Sequence, residues 1–203
     1  IKLFFKNFKY HIDSSSQSQD GTAATVTVSI TNLDAKALAT DLCQAIYQNS
    51  LNYGSSADQD TSVSSFSLMK ECLDEHDYPM ATTTATFHLT GQDNSWKIEA
   101  NAQLENELAG GLVEYLSDPY LLAPEDILDL TLTPFCNFTA QDWQNYLNIS
   151  DIFAVGTSQA DTIDQLLFQQ IAQFFDYEIT DTLQDGDTAQ DTVNITSLDL
   201  NAV

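Results

Sequence analysis

One stretch occurs twice in this chain and constrains its fold more than any other feature. Tyr10-His11-Ile12, a polar loop, Asp20-Gly21 and Val26-Thr27-Val28-Ser29-Ile30-Thr31-Asn32-Leu33-Asp34 return as Tyr177-Glu178-Ile179, Asp185-Gly186 and Thr192-Val193-Asn194-Ile195-Thr196-Ser197-Leu198-Asp199. In both copies aromatic and β-branched residues alternate with polar ones on either side of an Asp-Gly turn, the pattern of a β-hairpin. Each copy closes on Leu-Asp, a strand end followed by a helix cap. The chain therefore reads as internally duplicated, and its 203 residues suit two small units.

Taken in order, Lys2, Lys6 and Lys9 sit at helical spacing and predict the end of a helix over residues 1–8. After the first hairpin, Asp34 caps a helix from Ala35 to about Tyr53, with Leu38, Leu42, Ile46 and Leu51 on its core side and Gly54 to Asp58 ending it. A shorter helix over Val63 to Glu75 presents Phe66, Met69 and Leu73. Thr82 to Thr90 and Trp96 to Ala100, joined by the turn Gly91 to Ser95, form a second hairpin. A helix from Ala102 to Leu116 comes next, with Leu104, Leu108, Leu112 and Leu116 in register and Gly110-Gly111 marking close packing against the sheet.

Pro119, Pro124 and Pro134 punctuate a linker or a short helix starting after Ala123. Thr139 and Asp142 then form a capping box for a helix carrying Trp143, Tyr146, Leu147 and Ile149. The helix before the second hairpin is expected from Asp161, as N-cap, to Phe175, with an apolar stripe of Ile163, Leu166, Leu167, Ile171 and Phe174. The expected organisation is a first α+β unit over residues 1–118 without its leading helices, a linker over 119–134, and a second unit over 135–203 with only its leading helices and first hairpin. Such half-units expose sheet edges, covered either within the chain or by another chain.

Charge narrows the partners. Thirty acidic residues face six lysines and no arginine, for a net charge of -24, and every Lys and His lies at or before Lys97. Nucleic acid and anionic lipid need cationic side chains, so neither is an expected partner. With 43% hydrophobic residues in periodic blocks, the chain is nonetheless that of a folded domain, its acidity a solvated surface. No segment reaches the roughly 20 apolar residues that span a bilayer, so membrane insertion of this segment is not expected. Ile1 reads as a processing boundary, with any export signal or lipid anchor expected upstream.

Residues 8–34, the Thr82 to Ala100 hairpin with Trp96-Lys97-Ile98, and Leu108-Ala109-Gly110-Gly111-Leu112 together resemble uncharacterised extracytoplasmic lipoproteins of Gram-positive gut bacteria. The resemblance covers about half of the chain. It implies α+β domains of the NTF2-like or cystatin-like kind, with helices packed in the concavity of a curved antiparallel sheet, and it implies no activity. Asp191 departs from the pattern by taking the strand position of Val26.

The chemistry-bearing residues are few. There is no G-x-S-x-G, H-E-x-x-H, P-loop or G-x-G-x-x-G. Cys43, Cys72 and Cys136 read as buried free thiols, against the alternative of a Cys43–Cys72 disulfide. Cys72 and His76, beside Asp74, Glu75 and Asp77, share a helix face, but zinc needs two further ligands and only Cys43 offers itself. Asp181, Asp185, Asp187 and Asp191 crowd the second hairpin turn without the spacing of a calcium loop. His88, between Phe87 and Leu89, and His11 are the acid/base candidates if the fold encloses a pocket. Tyr10, Tyr177, Trp96, Trp143 and Tyr146 line either a pocket or the core.

No catalytic, cofactor-binding or metal-binding residue is assigned on these grounds. The expectation is a non-enzymatic extracellular or cell-envelope binding protein of unknown protein or small-molecule ligand. The alternatives are a small-molecule enzyme using an NTF2-like cone, or a structural domain that self-assembles through exposed sheet edges. A purely apolar cone favours the first, and two convergent polar groups favour the second.

Overall fold

The computed structural model describes residues 2–51, 63–92, 95–147 and 158–198. They form an α+β chain in two compact units, one of Ile1–Ile46 with Val63–Leu121 and the other of Tyr47–Ser62 with Leu122–Val203.

The first unit opens with i→i+3 turns. Lys6 N–H donates to the Leu3 carbonyl and Phe8 N–H to that of Phe5, so the described residues 2–8 form turns rather than the helix expected over residues 1–8, and among them only Phe4 is buried. Strand β1 (Lys9–Gln17) pairs antiparallel with β2 (Ala23–Leu33), with a bulge at Asp13. Asp20 Oδ1 pins the turn by accepting from Ser18 Oγ at 2.6 Å, Thr22 Oγ1 at 2.8 Å and Thr22 N–H at 3.1 Å. These bonds favour the charged carboxylate and hold Asp20 down at about 2. Their contribution is complete above the ordinary carboxylate range and lost as pH falls through that value.

Asp34 then caps helix α1 (Ala35–Ser50), its Oδ1 accepting from Lys36 N–H at 2.9 Å and Ala37 N–H at 3.2 Å. Leu38 and Leu42 are buried as expected, with Ala39 beside them, whereas Ile46 is exposed, because the core beneath α1 does not extend to its last turns. Helix α2 (Ser65–Glu75) buries Leu68 and Cys72 with Met69 and Leu73 alongside, and this turns Phe66 into solvent.

Strand β3 (Met80–Gln92) pairs with β2 over eleven residue pairs, from Ala23↔Thr90 to Leu33↔Met80, and β4 (Ser95–Ile98) pairs with the end of β3. The sheet order is β1-β2-β3-β4, all antiparallel. Helix α3 (Ala102–Leu108) lies over β3, where Leu104 joins Val28, Ile30 and Ala85 in one buried cluster. Its Glu107 Oε2 accepts the Thr86 backbone N–H at 2.9 Å, satisfying β3 on the edge that β4 leaves uncovered.

The single helix expected over Ala102 to Leu116 is two, because Gly110 and Gly111 adopt φ of 68° and 85° and break it before α4 (Leu112–Leu116). Both glycines therefore serve a left-handed turn, rather than close packing on the sheet. Leu112 stays buried beyond the break, while Leu116 is exposed. Phe4, Ala35, Leu38, Ala39, Cys72 and Leu112 form the second buried cluster of this unit.

In the second unit, helix α5 (Pro124–Cys136) occupies the stretch that the prolines punctuate, with Pro124 at its first turn. Helix α6 (Ala140–Leu147) starts on the expected capping box. Asp142 Oδ2 accepts from Thr139 N–H at 2.9 Å and Thr139 Oγ1 at 2.6 Å, and Asp142 N–H donates back to Thr139 Oγ1 at 3.2 Å. Helix α7 (Ser158–Phe174) begins before Asp161, which lies inside it rather than at its cap. Its inward line is the buried Phe168 with the half-buried Ile171 and Ala172, continued by Phe175 just after the helix, so Leu166 and Phe174 face solvent. Phe135, Trp143 and Phe168 make the core, and the ring of Phe135 lies 5.6 Å from that of Trp143.

The hairpin of β5 (Asp176–Asp185) and β6 (Thr188–Thr196) completes the unit as a two-stranded sheet. Its register matches the first. Tyr177↔Ile195 and Ile179↔Val193 correspond to Tyr10↔Ile30 and Ile12↔Val28, the bulge after Ile179 corresponds to that after Ile12, and Gly186 repeats the positive φ of Gly21. The stretch Gly54 to Asp58, Asp93-Asn94, Ile149, the Ile163 side chain and Asp199 lie outside the described residues.

Two sites test this packing. Asn32 is 4% exposed on the apolar side of β2, and neither its Oδ1 nor its Nδ2 meets a hydrogen-bond partner among the described residues. Asn32→Leu is expected to stabilise the protein by about 1–3 kcal/mol in urea unfolding, since it removes an unsatisfied amide at similar volume; destabilisation would contradict the assignment. Gly186→Ala should cost about 1–2 kcal/mol from its φ alone. Gly110→Ala should cost more, because the new Cβ would lie 3.3 Å from Ala35 Cβ, whereas nothing lies within 4 Å at Gly186.

Candidate functional site

Strand alternation in the first unit gathers apolar side chains on the sheet face that carries α3. Val28 and Ile30 of β2 form the floor, 6% and 1% exposed, flanked by Val26 and by Phe87 and Leu89 of β3. Tyr10 and Ile12 of β1 rise on one side, Ile98 of β4 and Leu108 of α3 on the other, and Phe8 lies before β1. They enclose an open groove of about 370 Å³, within the usual range for small-ligand pockets. Tyr10 alone among the lining residues carries a side-chain polar atom. Tyr10 and Ile12 on one side and Ile98 on the other remain 67%, 56% and 55% exposed, apolar rims of the kind that mark an interaction surface.

The opposite face is polar. Ser29 Oγ donates to Asp13 Oδ2 at 2.6 Å, Thr31 and Thr82 hydroxyls lie 2.9 Å apart, and Lys97 Nζ donates to Gln92 Oε1 at 2.7 Å. His11 pairs with Ser29 and His88 with Thr25 across the strands. Both histidines are on that side, because their neighbours Tyr10, Ile12, Phe87 and Leu89 take the groove side. Neither acid/base candidate enters the groove.

Cys72 and His76 part company at the end of α2. His76 is the C-cap residue, and its Nδ1 lies 2.7 Å from Asp41 Oδ2 on α1, the same oxygen that accepts from Tyr78 Oη at 2.8 Å. Asp41 thus ties α1 to the end of α2 and to the lead-in of β3. Burial, then the Asp41 charge, push the Cys72 thiol up, which disfavours the thiolate that a nucleophile or metal ligand requires. Burial, then the bond to Asp41, also push Tyr78 up. The geometry is that of a hydrogen-bonded clamp between elements. Cys43 and Cys136 are half-buried and likewise raised by burial, and all three thiols are free.

On the second hairpin, Asp181 and Asp185 lie on β5 and are exposed with Asp187, whereas Asp191 is half-buried opposite Thr182. Asp191 Oδ1 is buried without a hydrogen-bond partner among the described residues. Among the described residues no group of three or more His, Cys, Asp and Glu is placed to hold a metal ion, and no helix is long and apolar enough to cross a membrane.

The aromatic candidates divide. Trp143 is core, Tyr146 is half-exposed against the rings of Phe135 and Phe138, and Trp96 is 44% exposed on β4. Tyr177 is half-buried, with its hydroxyl donating to Asp129 Oδ1 of α5 at 2.5 Å and lying 2.8 Å from Thr133 Oγ1. Tyr10 is the one that reaches the groove. Seven of the other nine lining residues are legible in the sequence only as the apolar side of alternating strands, with Leu108 read as part of a helical stripe and Phe8 as part of a helix end, because nothing there says how much of the sheet α3 leaves open.

Comparisons with protein-family models, with curated proteins and with solved structures returned no match.

Thiol chemistry tests the clamp. Ellman's reagent should titrate all of Cys43, Cys72 and Cys136 in denaturant, and in the native protein Cys72, the buried one, should react last. A mass deficit of two hydrogens between Cys43 and Cys72 would contradict this arrangement.

Proposed function

We propose that this chain is a non-enzymatic, cell-envelope-associated binding protein, and that the apolar groove of its first unit is the binding surface. The observation that carries the reading is the lining itself. Ten residues converge on one cavity, and nine of them offer only hydrocarbon or aromatic carbon. Such a lining gains free energy by covering apolar surface, at roughly 25 cal/mol per Å², and supplies no pair of polar groups to move a proton. The ligand class is accordingly apolar, held by shape and burial rather than by charge.

We further propose that the two units are related α+β modules of the NTF2-like or cystatin-like kind, produced by duplication. The repeated wording of the hairpins supports this, as do their common register, bulge position and glycine turn. The extracytoplasmic setting rests on the resemblance alone.

A neutral dye tests the groove. N-phenyl-1-naphthylamine should brighten on binding the intact chain, and Ile12→Asp or Ile98→Asp should abolish the signal. Both residues are more than half exposed, so the circular-dichroism spectrum should be unchanged. Equal brightening in wild type and both variants would overturn the assignment.

A further inference from the structure

We propose that the groove's occupant is an amphipathic helix with the chemistry of α5, presented by a binding partner. The inference rests on the reading of the groove as a binding surface and gives that surface a partner class. The chain carries a hairpin of this register twice, and on the second the strand that matches β1 is partly covered by a helix, while Ile195 of β6 stays 61% exposed. In the second unit, α5 packs on β5 and β6, and Tyr177 places its hydroxyl on Asp129 Oδ1 and beside Thr133 Oγ1, two side chains one helical turn apart. Tyr177 and Ile179 are half-buried as a result.

Tyr10 and Ile12 hold the matching positions in the first hairpin, with the same cross-strand partners and the same bulge beside them. There the face is uncovered. Tyr10 is 67% and Ile12 56% exposed. Between them and Leu108 lies the groove. A helix seated there as α5 sits on β5 would bury Tyr10 and Ile12 and offer a carboxylate and a hydroxyl, four residues apart, to Tyr10. The partner is thus defined by an apolar helical ridge with an Asp-x-x-x-Thr pair on its flank. α5 itself is committed to its own hairpin, so it exemplifies the partner rather than supplies it.

The test is displacement of N-phenyl-1-naphthylamine from the intact chain by a capped peptide of residues 122–138 carrying Cys136→Ser. Physiological salt screens the long-range repulsion between two acidic molecules, and a scrambled peptide is the control. The peptide should displace the dye where the scrambled one does not. Tyr10→Phe should weaken the peptide about tenfold, the effect of one hydrogen bond to a charged group. If the dye binds and is lost in Ile12→Asp but the peptide fails to displace it at millimolar concentration, the helix assignment falls and the groove stands. Displacement that Tyr10→Phe leaves unchanged also overturns the α5-type helix. If the dye itself does not bind, the groove reading falls with it.

Discussion

The first unit depends on one ladder, the antiparallel pairing of β2 with β3. Its register sets Val26, Val28 and Ile30 beside Phe87, Ala85 and Thr83, so that Ile30 and Ala85 are almost wholly enclosed while the alternate residues form a polar face. A slip of one residue would exchange the faces and expose the cluster that α3 covers. The ladder also fixes where the first helix starts. Asp34, one residue beyond β2, donates its N–H to the Pro79 carbonyl just ahead of β3 at 2.8 Å, and from that point its side chain caps α1. The helices between the two central strands are therefore anchored at the end of the ladder.

Where the ladder's apolar face outruns its cover, the groove results. α3 is short because Gly110 and Gly111 turn the chain into α4, and Leu108 is its last residue. Val28 and Ile30 are sealed, but β1 is left with Tyr10 and Ile12 in the open. The second hairpin shows how different the outcome is when a helix lies across that face, since there Tyr177 is drawn in by Asp129 and Thr133. Burial, then the Asp129 bond, push the Tyr177 hydroxyl up, the mark of a phenol taken out of water and held as a donor.

Local rules read well from this sequence. Alternation places the strands of all three hairpins, and Asp34 and the Thr139–Asp142 box cap the helices that their spacing predicts. Rules that need a tertiary partner read less well. Periodicity passes over Phe168 because the choice between two adjacent faces of α7 is made by Phe135 and Trp143, both distant from it in sequence. The spacing of Phe66 to Met69 and Leu73 is helical and points Phe66 inward, yet Leu68 and Cys72 set the buried direction. Gly110-Gly111 suggests a packing device because composition cannot distinguish a glycine needed for closeness from one needed for positive φ. The groove is invisible in the sequence for the same reason, being the difference between an apolar sheet face and the helix that incompletely covers it.

The central claim is that the Tyr10–Ile12 side of the first sheet is a binding surface. Methyl-resolved NMR of the intact chain, titrated with a neutral apolar ligand, tests it most directly. The account predicts saturable shifts at Ile12, Val28, Ile30, Leu89, Ile98 and Leu108, with Ile179 and Val193 of the second hairpin unmoved. Shifts of equal size on both hairpins, or none at Ile12 and Ile98, would contradict it.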